Sequence, residues 1–234
     1  MGRDSKDGKC MARSAIERET HLLKGPAGQL EAVLEYPRKA DPCAVAVVCH
    51  PHPLYGGTLD NKVAFTLARS AVEAGAAALR FNFRGVGKSA GEFDHGLGEA
   101  EDLEAVETWL RDRWPELPVW RFGFSFGAAM VLKRTADVPS EVLVTVAPPA
   151  SHFSEYGFNA DAPRTRNWLL VQGDADDVVD PQAVLSWARG LDNPPTIKVV
   201  EGAGHFFHGR LTTLRKLVAG FLASSAPAPD GEGS

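Results

Sequence analysis

From Ala44 to Val200, short apolar runs alternate with longer helical segments, and few architectures accommodate that alternation. The runs are AVAVVC (44–49), AAALRFNF (76–83), VWRFGF (119–124), EVLVTVA (141–147), NWLLVQG (167–173) and TIKVV (196–200). Each is apolar nearly throughout, as strands of a parallel sheet are when helices cover both faces. Parallel neighbours need a crossover, and the intervening segments at 61–73, 98–114, 128–134, from Pro181 and 207–222 have helical length and patterning. Leu103, Val106 and Leu110 share one face of the second of these. Upstream, AIERETHLL and GQLEAVLEY alternate polar and apolar residues around Gly25-Pro26, which predicts an antiparallel hairpin. The expected fold class is therefore α/β, a doubly wound, mostly parallel sheet of about eight strands, in one domain over residues 14–223. The polar opening through residue 13 and the Ala/Pro/Gly/Ser-rich stretch from Ser224 read as disordered extensions.

Charge and cysteine content narrow the function classes. A net charge of −5 gives no basic field for nucleic acid or an anionic membrane. The three cysteines, Cys10, Cys43 and Cys49, lack both disulfide-framework and zinc-site spacing, so no metal and a reducing, cytoplasmic setting are expected. No apolar run approaches the ~18 residues of a transmembrane helix, and no signal-peptide core is evident. The expected partner is a small molecule, and nothing in the sequence specifies an oligomeric state. The glycines of FNFRGVGKSAGEF (81–93) match neither G-x-G-x-x-G nor the Walker spacing, so no nucleotide cofactor is expected; Arg84 there is expected to pair with Asp94 or Glu99.

One serine has an unusual setting. Gly123-Phe124-Ser125-Phe126-Gly127 places G-x-S-x-G between a strand and a helix, the context in which that motif has chemical meaning. A nucleophile on such a turn adopts a strained backbone, and flanking glycines let strand and helix approach. The helix N-terminus then directs free N–H groups at developing negative charge.

A serine hydroxyl needs a base, and the base needs an acid to hold its tautomer. VQGDADDVVDP and EGAGHFFHG follow strands, so both loops should open at the carboxyl edge beside Ser125, in the chain order Ser, Asp, His. Among seven histidines His205 is favoured over His208, because Gly202 and Gly204 let its loop bend between the last strand and the last helix. Asp174, Asp176, Asp177 and Asp180 share one loop, and spacing does not choose among them, although Asp180 is placed to cap the helix at Pro181. CHPHPLYGGTLDNK (49–62) follows the first core strand, where one oxyanion donor is expected; Pro51 and Pro53 have no N–H, which leaves His52, Leu54 and Tyr55. The second donor is the Phe126 N–H, next to the serine. His50 and His52 otherwise read as loop-stabilising residues, without the carboxylates a metal site would need.

Together these segments resemble the alpha/beta-hydrolase superfamily from about Ala15 to Leu222, and within it a small bacterial group of uncapped, esterase-like serine hydrolases related to dienelactone-hydrolase-like proteins. The resemblance implies that the acid is Asp176, in a G-x-x-D-x-x-V pattern over Gly173, Asp176 and Val179, with Asp177 second. It implies Leu54, two residues before Gly56, as the first oxyanion donor. Serine at the elbow departs from the cysteine of true dienelactone hydrolases and disfavours dehalogenation. The expected activity is cleavage of small to medium acyl esters through an acyl-enzyme. A thioesterase, a peptidase or amidase with the same triad, and a non-catalytic binding module on the same fold are the alternatives. Only Pro148 to Arg166 separates two strands where lids often enter, too little for a cap domain, so an open pocket lined by Phe153, Tyr156 and Phe158 is expected, unless those rings merely pack beneath a loop.

Overall fold

The computed structural model describes residues 16–158 and 163–225. Eight strands form one sheet in the order β1-β2-β4-β3-β5-β6-β7-β8. They are β1 (Ile16–Gly25), β2 (Gly28–Pro37), β3 (Val45–Cys49), β4 (Ala77–Phe81), β5 (Val119–Phe124), β6 (Ser140–Val146), β7 (Thr165–Gly173) and β8 (Thr196–Val200). The expected hairpin is β1 and β2, antiparallel in register from Ile16 opposite Pro37 to Gly25 opposite Gly28. β2 also pairs antiparallel with β4, and from β4 to β8 every pair is parallel.

Five helices cover the two faces: α1 (Lys62–Glu73), α2 (Gly98–Arg113), α3 (Phe126–Asp137), α4 (Pro181–Arg189) and α5 (Leu211–Ser225). The strand period sorts the core. Ala46 and Val48 of β3 face α1 and α5, while Val45, Val47 and Cys49 face α2 and α3. Leu103, Val106 and Leu110, the expected face of α2, are fully buried on that second side. The order in which strands are added reverses at β3, since β4 lies on one side of it and β5 on the other, and the crevice beyond the carboxyl ends of these parallel strands is where such sheets bind ligands.

Three expectations change. The last helix begins at Leu211, not Phe207, because Phe207 (φ 53°) and Gly209 (φ 70°) adopt left-handed backbone that no helix can continue. It also runs through Ser224 and Ser225, whose hydroxyls bond back to the Phe221 carbonyl, so the first two residues of the expected tail are helical. The remaining extension residues lie outside the described residues, as do residues 159–162. Arg84 takes Asp102 of α2 as its main partner, with Nη2–Oδ1 at 2.9 Å and the Arg84 N–H on the same carboxylate. Asp94 keeps a longer ion pair with Arg84 at 3.8 Å, whereas Glu99 instead accepts the N–H groups of Asp94 and Gly96. A charged pair that ties a helix to a loop or strand leaves no hydrophobic-pattern signal; the buried Glu107–Arg121 pair between α2 and β5 is another.

Candidate active site

Ser125 stands between β5 and α3 with φ 53° and ψ −120°, a conformation rarely tolerated by a side-chain-bearing residue. Its N–H donates to the Val146 carbonyl at 2.9 Å, which ties the turn to the next strand. The flanking glycines are required by contact. A Cβ on Gly123 would lie 2.3 Å from the Gly127 carbonyl oxygen, and one on Gly127 would lie 2.3 Å from that of Cys49.

A continuous hydrogen-bond chain leads away from the serine. Its Oγ is 3.1 Å from His205 Nε2, and His205 Nδ1 is 2.9 Å from Asp176 Oδ2. With Nδ1–H donating to the carboxylate, Nε2 is left to accept the Ser125 proton. All three residues are buried: Ser125 is 8% exposed, Asp176 8% and His205 3%. Burial alone would raise the Asp176 pKa, but hydrogen bonds from His205, Val179 and Val178 outweigh it and hold the carboxyl below its ordinary value.

The four aspartates of this loop have four different surroundings. Asp174 accepts the Gly202 N–H at 2.7 Å and joins the loops after β7 and β8. Asp176 faces His205. Asp177 is exposed. Asp180 caps α4, as expected, through the Gln182 N–H. Gly173 permits the crossing, since a Cβ there would lie 2.2 Å from the Ala203 carbonyl oxygen. His208 is exposed and stacks on Phe206.

Gln172 gave no sequence signal, yet it is fully buried and its Nε2 donates to Asp176 Oδ2 at 3.1 Å. Its Oε1 has no partner among the described residues, so the carboxylate sets the orientation of the amide. Only the strand period, which turns alternate residues of a strand end to the same face, could have drawn attention to it.

On the other side of Ser125 lies the loop after β3. His50 is buried and neutral, with a pKa lowered to about 4 by burial; its Nδ1–H donates to the Pro51 carbonyl and its Nε2 accepts the Phe83 N–H. That bridge locks the loop to the end of β4. Gly57 lets the loop fold back, because a Cβ there would lie 2.0 Å from the Pro51 oxygen. Of the three candidate donors in this loop, Leu54 donates its N–H to His52 Nδ1 at 3.2 Å and Tyr55 donates to the His52 carbonyl at 3.1 Å. The His52 N–H has no acceptor among the described residues. The expected assignment of Leu54 therefore meets a physical obstacle: its N–H is already engaged, and the residue is 66% exposed. The Phe126 N–H heads α3, in the first turn, where no intrahelical acceptor exists.

The three expected pocket rings divide. Tyr156 packs 5.1 Å from Phe126, next to Ser125, whereas Phe153 lies 4.9 Å from both Phe158 and Trp187 of α4. Only Tyr156 is thus carried against the elbow; Phe153 and Phe158 pack toward α4. His52 joins the Tyr156 side, with its ring 5.1 Å from that of Phe126 and 4.8 Å from Phe93.

Fold and site together define an α/β serine hydrolase of the uncapped kind. The chain belongs to the family described as X-Pro dipeptidyl-peptidase (S15 family), whose sequence model matches residues 27–183. It is similar to XC6422 from Xanthomonas campestris, a member of the a/b serine hydrolases without lid, at 40% identity and TM-score 0.85 over 91% of this chain and 97% of that one. An alpha-beta serine hydrolase homologue from Coxiella burnetii is 43% identical, with TM-score 0.81 over 86% and 95% of the two chains. Uncharacterized protein RP471 of Rickettsia prowazekii is 34% identical over 86% of this chain and 87% of its own length. Among the described residues no helix is long and apolar enough to cross a membrane.

Proposed function

We propose that the protein is a serine esterase that cleaves small to medium acyl esters through an acyl-enzyme, with Ser125, His205 and Asp176 as its catalytic triad. The observation that carries this reading is the unbroken chain from Ser125 Oγ through His205 to Asp176. His205 Nε2 removes the hydroxyl proton as Oγ attacks the ester carbonyl. Asp176 stays ionised, holds the ring and stabilises the imidazolium. Negative charge develops on the former carbonyl oxygen, and the N–H groups of Phe126 and His52 receive it. The imidazolium then protonates the departing alcohol, and a water deprotonated by His205 releases the acid and restores Ser125.

An apolar acyl group suits the surroundings. Leu54, Tyr55, Leu97, Val178 and Phe206 are exposed large hydrophobic residues on loops at the carboxyl edge, around an elbow that also bears the Tyr156 and Phe126 rings. With no cap to enclose a long chain, selection falls on the few carbons next to the carbonyl.

A fluorophosphonate probe should label the wild-type protein and not Ser125→Ala, and p-nitrophenyl butyrate turnover should fall by about 10³-fold or more in that variant while the circular dichroism spectrum is kept. Turnover retained in Ser125→Ala would reject the assignment. The family description favours a second reading, peptide cleavage. Comparing p-nitrophenyl butyrate with an X-Pro p-nitroanilide on the same preparation separates the two, because only a peptidase turns over the anilide at a comparable kcat/KM.

A further inference from the structure

The apolar rim around Ser125 comes from two sets of loops, and they stand toward different halves of an ester. Leu54 and Tyr55 belong to the loop after β3, which also supplies the His52 N–H. Val178 and Phe206 belong to the loops that carry Asp176 and His205. Phe206 is 43% exposed, between a His205 and a Phe207 that are both buried.

The loop forces this arrangement. The Phe207 N–H donates to the Gly204 carbonyl at 3.0 Å, so His205 and Phe206 are the two central residues of a β-turn and project from its tip. On one side of them Phe207 takes φ 53°, a backbone that a bulky residue rarely adopts, and its carbonyl accepts the Arg210 N–H at 2.9 Å. On the other side Asp174 holds the Gly202 N–H at 2.7 Å. The turn is therefore fastened at both ends. The Phe206 ring meets the His205 ring nearly at right angles with 5.1 Å between centres, lies 6.0 Å from Phe124, and has His208 stacked along it at 6.0 Å. Burial does not explain a ring held so firmly and left so open.

The order of bond changes says which part of a substrate reaches it. In acylation a bond forms between Ser125 Oγ and the carbonyl carbon, the bond from that carbon to the alcohol oxygen breaks, and the proton taken from Ser125 passes from His205 Nε2 to the departing oxygen. That oxygen has to come within about 3 Å of Nε2, so the group attached to it lies beside the imidazole. The carbonyl oxygen lies across the serine, toward the N–H groups of His52 and Phe126. Of the two rings that pack on His205 among the described residues, Phe124 is fully buried and Phe206 is open.

We propose, on the basis of the esterase reading, that Phe206 is a specificity-determining residue for the alcohol half of the substrate and favours aryl esters, whose phenol ring packs on the Phe206 ring while the oxygen is protonated.

Phenyl butyrate and ethyl butyrate form the same acyl-enzyme and differ only in the group that leaves. Comparing each variant with wild-type protein on both esters cancels their unequal intrinsic reactivity. In Phe206→Ala the ratio of kcat/KM for the phenyl ester to that for the ethyl ester should fall about tenfold, with loss of one aromatic contact and the area it buries. Phe206→Leu should restore part of the ratio and Phe206→Trp all of it. Hydrolysis of the preformed butyryl-enzyme should stay within about twofold, because the phenol has already gone. Fluorophosphonate labelling expels fluoride, too small to reach the ring, so its persistence in all three variants shows that Ser125 and His205 remain assembled. An unchanged ratio in Phe206→Ala would overturn the proposal and leave the esterase reading standing. So would an equal loss on both esters together with lost labelling, which would make Phe206 a support for His205, and so would a change confined to butyrate against acetate esters of phenol, which would place the ring at the acyl half. Turnover of both esters by Ser125→Ala would instead reject the esterase reading itself.

Discussion

The two loop systems that flank Ser125 treat their polar groups in opposite ways. On the side of β7 and β8, Asp176 receives the His205 ring, the Gln172 amide and two backbone N–H groups, and Asp174 fastens the adjoining loop. On the side of β3 and α3, the scaffold is equally firm, with His50 bridging two loops, but the N–H groups of His52 and Phe126 have no partner among the described residues. A proton-transfer arm has to present the right tautomer before substrate arrives, so its hydrogen bonds are made in advance. A site for developing charge has to keep its donors in place and unspent until the transition state forms. In the proposed reaction, one arm is rigid because it is saturated, and the other is rigid although the donors assigned to it are free.

Breaking the saturated arm should give the largest effect. Asp176→Asn keeps the shape but offers His205 an amide, which can reverse the tautomer, and kcat should fall about 10⁴-fold with little change in KM. Stopped assays on p-nitrophenyl butyrate test this, and a loss under tenfold would mean that another group orients the ring. Breaking the open arm needs removal of an N–H rather than a side chain. His52 has φ −51°, close to the value a proline ring imposes, so His52→Pro deletes the donor with little backbone change. We expect kcat to fall about 10²- to 10³-fold while fluorophosphonate labelling survives at a reduced rate. If kcat is unaffected, Leu54 or another group is the donor.

A third test concerns what holds the open arm. His50 is neutral in the fold, with a pKa near 4 against an ordinary 6.5, so the unfolded chain binds a proton that the folded chain refuses. Its contribution to stability is fully present above pH 6.5 and declines as the pH falls from 6.5 to about 4, by about 3 kcal/mol, beyond which both states are protonated. Urea titrations across that window should show the slope in wild-type protein and lose it in His50→Asn. A smaller effect is expected from Gln172→Met, which removes one of the four bonds to Asp176. As a positioning residue, Gln172 should cost kcat about tenfold and move the acid limb of the pH–rate profile upward, and Gln172→Asn should not restore it, since the shorter side chain cannot reach.

The difference between the arms also explains what the sequence disclosed. The strands of the core, the hairpin and the elbow were legible because burial on both faces and a glycine pair around a serine leave local signatures. His205 was legible from its loop between the last strand and the last helix. Asp180 was legible as a cap because its partner is local, but Asp176 was separated from Asp174 and Asp177 only by resemblance, because deciding partners, such as Gly202 for Asp174 and His205 for Asp176, come from another loop. Gln172 and Asp102 were missed because Gln172 reaches four residues on, from a strand end to the loop after it, and Asp102 reaches from α2 to a loop eighteen residues earlier, and no periodicity records either contact. For the donor in the loop after β3, the resemblance pointed to Leu54, whose N–H is engaged by the His52 ring, and which N–H of that loop is already spent depends on where that ring turns. A helix beginning at Phe207 was likewise a fair local reading, overturned by two left-handed residues.

The smallest effect discriminates most sharply. In His52→Ala the backbone N–H stays, while the ring that accepts from Leu54 and packs on Phe126 disappears. If the main chain of residue 52 is the donor, kcat should remain within about threefold, and the loss should appear as a raised KM and a modest drop in stability of about 1 kcal/mol from the lost cap. If Leu54 is the donor, the same change frees its N–H from the imidazole and kcat should rise. A fall as deep as that of His52→Pro would show instead that the ring, and not the N–H, maintains the charge-stabilising arm. The alanine and proline variants therefore separate side chain from main chain at one position, in a loop where the N–H groups of His52 and Leu54 are the rival donors.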